Sequence, residues 1–353
     1  MTRKINREPA SPSADLLALA EIVERFQDKR VVILGDFVAD SFQYGEITRV
    51  SREAPVLILR HRETRLLPGA AANAANNLAS LGAHVVPITV VGDDSAGDWL
   101  LHKFREMHCD VSGILRIKGA ATPMKTRFLA GWAHTVGQQV LRVDYEPHSP
   151  ISETYQRKIQ SLLATRLKKA DALAISDYGF GVASPQTLRR ALAPLKRTIP
   201  VTLDSRYQLL AYKRAGVTSA TPNEPEIESL HNTVIGPDIS KLERSGRQVL
   251  SELKLQSLII TRGRDGLAVF EPNQKTAVHI PVHGSDQAVD VTGAGDTVLA
   301  AYTLGLASGA SPVEAGHIAN IAGGLVVMKR GTATVSRYEL LEEIRKTASG
   351  VAP

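Results

Sequence analysis

The sequence predicts an α/β fold with a small β insertion, on three observations. From about residue 153 the chain alternates amphipathic stretches with short apolar runs, which implies right-handed β-α-β units. Residues are 43% hydrophobic, 22% charged and 5% aromatic, a mixture usual in α/β proteins and ample for a sizeable core in 353 residues. No repeat period and no Pro/Gly/Ser-rich linker divides the chain, which favours one core.

Residues 1–12 (MTRKINREPASP) are polar, carry two prolines and predict a loose arm before a helix over Leu16 to Phe26. RVVILGDF predicts a buried strand whose carboxyl end delivers Asp36 to the edge where open parallel sheets bind ligands. From Asp40 to Leu67, short alternating stretches broken at Ala54-Pro55 predict a β element. GAAANAANNLASLGA is a helix, VVPITVVGDD a strand, and Asp98 to Met107 another helix. A second β patch over Thr122 to Asp144, with Gly131 and Gly137 available for its turn, can pair with the first.

The alternating part follows. It comprises helix Glu153 to Lys168, strand ADALAISD, helix Pro185 to Leu195, strands PVTLDS and TSATPN, and helices Glu224 to Leu230 and Asp238 to Leu253. Strand SLIITRG, a hairpin through Gly266 and two Ala/Gly-rich helices starting near Gly293 and Pro312 complete the pattern. These give an N-terminal arm and first helix over 1–28, one domain over 29–345 with β insertions near 40–67 and 118–145, and a tail over 346–353.

The net charge of +6 comes from 42 basic residues interleaved with 36 acidic ones, so it describes a solvated surface and not a nucleic-acid-binding face. A positive field does favour phosphorylated substrates. Cys109 is the single cysteine and cannot form an intramolecular disulfide. With neither a signal-peptide pattern nor an apolar run of membrane-spanning length, a cytoplasmic protein with no membrane contact is expected.

The sharpest chemical signal is Asp290-Val-Thr-Gly-Ala-Gly-Asp296-Thr, which opens an Ala-rich helix. Glycines 293 and 295 let the backbone turn so that successive N–H groups point one way at a helix N-terminus, forming a phosphate cradle. Like charges repel, so Asp296 serves another partner, and the natural one is the proton of a hydroxyl attacking a phosphoryl group. Taken alone, the same residues would also make a helix cap after a Gly-rich turn.

DVTGAGDTVLAAYT resembles the C-terminal signature of the ribokinase or PfkB carbohydrate-kinase family. The resemblance runs from about Lys29 to Val335. It implies a doubly wound, mostly parallel sheet flanked by helices, with the β insertion as a lid, and ATP-dependent sugar phosphorylation. Asp296 would be the base, and the amides of Gly293, Ala294 and Gly295 the anion hole. Asp36 resembles the acid that bonds sugar hydroxyls. Pro68-Gly69-Ala-Ala-Ala-Asn73 resembles a turn closing around the sugar, with Ala70 standing where a second glycine is usual.

On the nucleotide side, Asn223 and Glu226 of TPNEPE resemble an NxxE element that organises Mg2+ and its waters around the phosphates. Asp204-Ser-Arg206 would lie near those phosphates by similarity. Thr261, Gly263 and Gly266 resemble a loop beneath the ribose and phosphates, and Asn320 resembles an adenine-pocket position. The resemblance leaves a monovalent cation open, and family members often form homodimers by pairing lids.

Within the family the chain is most similar to kinases of D-glycero-D-manno-heptose 7-phosphate that make the 1,7-bisphosphate for lipopolysaccharide core synthesis. Glu53-Ala-Pro-Val56, Thr126-Arg127 after Lys125, Leu141-Arg-Val-Asp144, Ser176-Asp-Tyr-Gly179 and Gly331-Thr-Ala-Thr-Val335 carry this likeness, with Phe180 where a lysine is expected. Lys125, Arg127 and Arg142 could hold the phosphate already on such a sugar. No HxGH motif follows, so a separate monofunctional kinase is expected. The alternatives are a kinase of fructose, fructose 6-phosphate or a nucleoside, or a non-catalytic sugar sensor.

Overall fold

The computed structural model describes residues 12–131, 138–147, 149–285 and 287–350. The expected arm over 1–11, Gly137 of the expected lid turn and residues 351–353 lie outside them. Strand β1 (Arg30–Gly35) is apolar on both faces, with Val31 and Ile33 in one buried cluster and Val32 and Leu34 in another. That pattern marks a strand central to a sheet covered on both sides.

The chain then leaves this sheet as β2 (Phe37–Val50), turns, and returns as β3 (Leu57–Ala70). The remaining strands are β4 (His84–Gly92), β5 (Ile114–Ile117), β6 (Met124–Gly131), β7 (Gln138–Tyr145), β8 (Ala172–Asp177), β9 (Val201–Ser205), β10 (Ser219–Ala220), β11 (Ser257–Thr261), β12 (Leu267–Phe270) and β13 (Val278–Ile280). Nine of them form one sheet in the order β13-β12-β11-β10-β9-β8-β1-β4-β5. It is parallel from β11 to β5 and antiparallel only at β12 and β13.

One face of this sheet carries α1 (Pro12–Glu24), α2 (Ala71–Ser80), α3 (Ser95–Glu106), α8 (Ala294–Ala307), α9 (Pro312–Val327) and α10 (Arg337–Ala348). The other carries α4 (Glu153–Leu167), α5 (Pro185–Leu192), α6 (Glu224–His231) and α7 (Ile239–Leu253). The doubly wound, mostly parallel sheet expected from the sequence is therefore present.

A second sheet, ordered β3-β2-β6-β7, is the lid, and β2 pairs with β6 in parallel. Its strands are longer than the short stretches expected, because β2 and β3 pair along their whole 14-residue lengths. The β2–β3 register breaks at Tyr44/Gly45, leaving Arg62 of β3 over, and at Ile47/Arg49, leaving Thr48 of β2 over; the β6–β7 register breaks at Phe128/Leu129, leaving Val140 of β7 over. Tyr44 lies opposite Leu129, so the breaks fall at neighbouring levels of the lid.

Helix α10 was not expected from the sequence, although Ser336 and Glu339 form a capping box at its start. It packs on α1, where Arg337 donates to the Glu24 carbonyl and Arg345 pairs with the Glu24 carboxylate at 2.6 Å. Conversely, the expected strand TSATPN shortens to Ser219–Ala220, since Asn223 caps α6.

Candidate active site

Strands β1, β8, β9, β10 and β11 end at one edge, where Asp204 and Thr261 lie in the last residues of β9 and β11 and Asp36, Tyr178 and Thr221 directly follow β1, β8 and β10. The lid overhangs this edge because β2 follows β1 directly. Opposite it, Gly293 adopts φ 80° as the N-cap of α8, a left-handed value natural to glycine. A side chain there would meet the Asn73 amide at 2.5 Å. Asp290 fastens the turn by accepting from the N–H groups of Thr292 and Gly331, both at 2.9 Å. Although burial opposes it, those amides hold the Asp290 carboxyl below its ordinary value.

Asp296 lies in the first turn of α8 and is only 4% exposed. Its Oδ2 accepts from Asn73 Nδ2 at 2.8 Å, and its Oδ1 faces the Tyr178 hydroxyl, which donates at 3.4 Å. Burial pushes its carboxyl up to about 7, against the lowering effect of the Asn73 bond. A carboxylate so tuned takes a proton readily near neutrality. The same charge raises the Tyr178 phenol well above its usual value, keeping it a donor.

Asn73 is fully buried, accepts from the Asn77 amide at 3.3 Å, and Asn77 in turn accepts from Thr297 at 2.8 Å. This chain ties α2 to α8. Asn73, expected on the sugar, thus also fixes the Asp296 carboxylate. Its turn departs from the ordinary: Ala70 takes φ 52° and ψ −133°, a region left almost entirely to glycine, at a cost of roughly 1–3 kcal/mol.

Asp36 also differs from expectation. Its Oδ2 accepts from the amides of Tyr178 and Phe180 at 2.9 and 3.1 Å and its Oδ1 from that of Val182 at 3.0 Å, so it clamps the loop after β8. Burial raises its carboxyl to about 6 despite those bonds. The acid facing the lid is Asp40, which sequence reasoning missed. Its Oδ1 pairs with Arg127 at 2.7 Å, and a side chain at Gly69 would come within 2.5 Å of its Oδ2. Gly69 thus makes room for an acid. The even spacing of Asp40 from Asp36, the residue just before β2, was the available signal.

A cavity of about 750 Å³ runs from Asp296, Gly293 and Gly295 to Asp204, Asn223 and Glu226. Asn223 and Glu226 form a reciprocal capping box, Asn223 Oδ1 accepting from the Glu226 amide at 2.8 Å and Glu226 Oε2 from the Asn223 amide at 3.0 Å. Burial raises the carboxyl of Glu226. It raises that of Asp204 as well, where the charges of Glu226 and Asp296 add to the effect. The buried Thr221 hydroxyl in the same wall has no partner among the described residues.

Oxygen donors under mutual repulsion suit a hard cation, and no group of three or more metal-ligating side chains exists among the described residues. The residues therefore fit a hard cation such as Mg2+, which Glu226 and Asp204 would hold partly through water and phosphate. Beyond the cradle lies a smaller apolar cavity of about 180 Å³, bordered by Thr261, Gly263, Gly266, Ala294 and Asn320. Asn320 donates to the Pro281 carbonyl at 2.8 Å, and Gly266 is required there because a side chain would strike the Ile280 carbonyl at 2.1 Å. Lys125 and Arg142 border a third cavity, and Arg127 is turned to Asp40.

Residues 28–338 match the pfkB family carbohydrate kinases. The chain is similar to the bifunctional protein HldE of Mesorhizobium japonicum, 36% identical over 338 residues, and to that of Geobacter metallireducens, 37% over 316 residues. These matches take in 95% and 89% of this chain but 65% and 63% of the relatives, so the chain spans about two thirds of their length. Its fold is similar to that of Arabidopsis thaliana ribokinase complexed with ribose and ATP, at a TM-score of 0.69 and 17% identity over 90% of this chain and 99% of that one. Phosphofructokinase-2 from Escherichia coli is similar at a TM-score of 0.72 and 18% identity, over 91% and 99%. A family match across most of the sequence and relatives above one-third identity, over a buried carboxylate at a glycine-rich helix start, together place this chain in the pfkB family of carbohydrate kinases, phosphotransferases with an alcohol group as acceptor.

Proposed function

We propose that the protein transfers the γ-phosphoryl group of ATP to the anomeric hydroxyl of D-glycero-D-manno-heptose 7-phosphate, giving the 1,7-bisphosphate, in the cytoplasm. The observation that carries the reaction type is Asp296, a buried carboxylate with a raised pKa beside three cradle residues and bordering the large cavity. The choice of acceptor rests on the sequence likeness to heptose 7-phosphate kinases and on cations lining the lid side of the cleft.

In this reading adenine occupies the small apolar cavity and the phosphates run along Gly293, Ala294 and Gly295. Asp40, positioned by Arg127, orients sugar hydroxyls, while Asp296 receives the proton of the attacking one. A bond forms between that oxygen and the γ-phosphorus, and the bond from phosphorus to the bridging oxygen breaks, leaving ADP. The amides of 293–295 absorb charge on the transferring oxygens. Mg2+ near Glu226 and Asp204 would neutralise phosphate charge when bound. Lid cover excludes water that would otherwise accept the phosphoryl group.

The test is coupled ADP release with a panel of sugars. Turnover is expected with heptose 7-phosphate and is expected to be far weaker with fructose, fructose 6-phosphate and nucleosides. Preference for an unphosphorylated sugar would overturn the assignment of acceptor.

The outer lid exposes Val50, Leu57, Val140, Leu141 and Tyr145, which supports a homodimer in which two lids pair. Sedimentation is expected to show a dimer for the native chain and a monomer for Leu141→Lys. A native monomer at micromolar concentration rules the pairing out.

A further inference from the structure

We propose that the phosphate already carried by the acceptor sits in the cavity between the lid and the loop after β9, held by Lys125, Arg142 and Arg206, and that Arg127 takes no part in holding it. This rests on the reading of the protein as a kinase of a phosphorylated sugar and gives that substrate's second charged group its place.

The cavity holds about 500 Å³ and is lined by Lys125, Arg142, Asp144, Tyr178, Arg206 and Gln208, among others. It shares Tyr178 and Arg206 with the cavity that contains Asp296. A sugar lying across Tyr178 therefore reaches the base with one end and this cavity with the other.

Its cations differ in how far their charge is already spent. Lys125 and Arg206 have no carboxylate at ion-pair distance among the described residues. Lys125 instead places its ammonium 5.2 Å from the centre of the Tyr178 ring, and Arg206 places its guanidinium 5.7 Å from that of Tyr207. Arg142 is bidentate with Asp144 at 2.6 and 2.7 Å and can trade that exposed partner for a phosphate. Glu146 is the other carboxylate on the wall.

Electrostatics agree with the geometry. Burial depresses the Lys125 ammonium below its ordinary value; nearby Asp40 opposes this, and the Arg142 and Arg206 charges add to it. Cations that repel one another around an open cavity gain most from a dianion. Arg127, by contrast, is nearly buried against Asp40 and stacked over Phe42 at 5.1 Å, so its charge is already satisfied.

Arg206 lies in an exposed loop, so its replacement spares the core. Steady-state kinetics of Arg206→Gln and Arg206→Lys with heptose 7-phosphate test the assignment. The KM for the sugar phosphate is expected to rise on the order of 10- to 100-fold in Arg206→Gln, the scale of a lost charge-assisted contact. Arg206→Lys should recover part of the loss, and the KM for ATP should stay put. Inorganic phosphate should inhibit the native enzyme competitively with the sugar phosphate, and more weakly in Arg206→Gln.

A rise confined to the KM for ATP, or phosphate competing only with ATP, would instead assign Arg206 to the nucleotide and overturn the proposal. So would an unchanged sugar-phosphate KM in an enzyme that turns that sugar over, with the acceptor reading left standing. A native enzyme that ignores every phosphorylated sugar takes both down.

Discussion

Replacing Asp296 by asparagine is expected to lower kcat by roughly two to four orders of magnitude, the usual scale for removing a general base, with nucleotide affinity nearly unchanged. Asparagine keeps the shape and can still offer its oxygen to Asn73 Nδ2, so the buried chain through Asn77 and Thr297 survives. What is lost is an atom that takes a proton. Because burial raises the Asp296 carboxyl to about 7, the native enzyme should gain activity as pH rises through that value and the carboxylate ionises. Below it, kcat/KM should fall about tenfold per pH unit. The variant should lose this limb. Stopped assays between pH 5 and 9 measure both effects, and a variant retaining more than about a tenth of native kcat would remove Asp296 from the chemistry.

Asp40→Ala should produce the largest loss of stability, about 3–5 kcal/mol, because it strands Arg127 as an uncompensated, nearly buried charge between β2 and β6. The Asp40 and Arg127 side chains are only 6% and 14% exposed, so water cannot take over the missing partner's role. Replacing both, as Asp40→Leu with Arg127→Met, should recover most of that stability, since apolar side chains of similar size tolerate the site. Activity should not return with it. Denaturant melts together with sugar KM values separate the two effects. An Asp40→Ala protein as stable as the native one would show that this pair does not hold the lid strands together.

The residues legible in the sequence were those whose geometry is local. The turn at 293–295, the base three positions after its N-cap and the box between Asn223 and Glu226 are all set by neighbours a few positions away. So were the central strands, because burial on both faces writes continuous apolar runs such as VVIL and ALAI. Choosing between Asp36 and Asp40 needed tertiary contacts: the amides that occupy Asp36 lie beyond residue 177, and the Arg127 that holds Asp40 is 87 positions away. The bond from Asn73 to Asp296 was missed for the same reason, its partner being 223 positions off. Tyr178 was quoted within a motif without a role, because nothing local sets a phenol against a carboxylate, and Arg206 was expected only beside the nucleotide phosphates. Helix α10 did have a local signal in Ser336 and Glu339, and the sequence reading passed over it.

The extra residues at the Tyr44/Gly45 and Phe128/Leu129 breaks are Arg62 in β3 and Val140 in β7, on the flanking strands, while the parallel pair β2–β6 that carries Asp40, Lys125 and Arg127 runs unbroken from Ala39–Met124 to Glu46–Gly131. Extra residues at such points bend a ribbon more easily than its regular stretches. The lid therefore curls at its two margins around an uninterrupted spine, so the spacing of the three charged side chains on that spine is independent of how the margins bend.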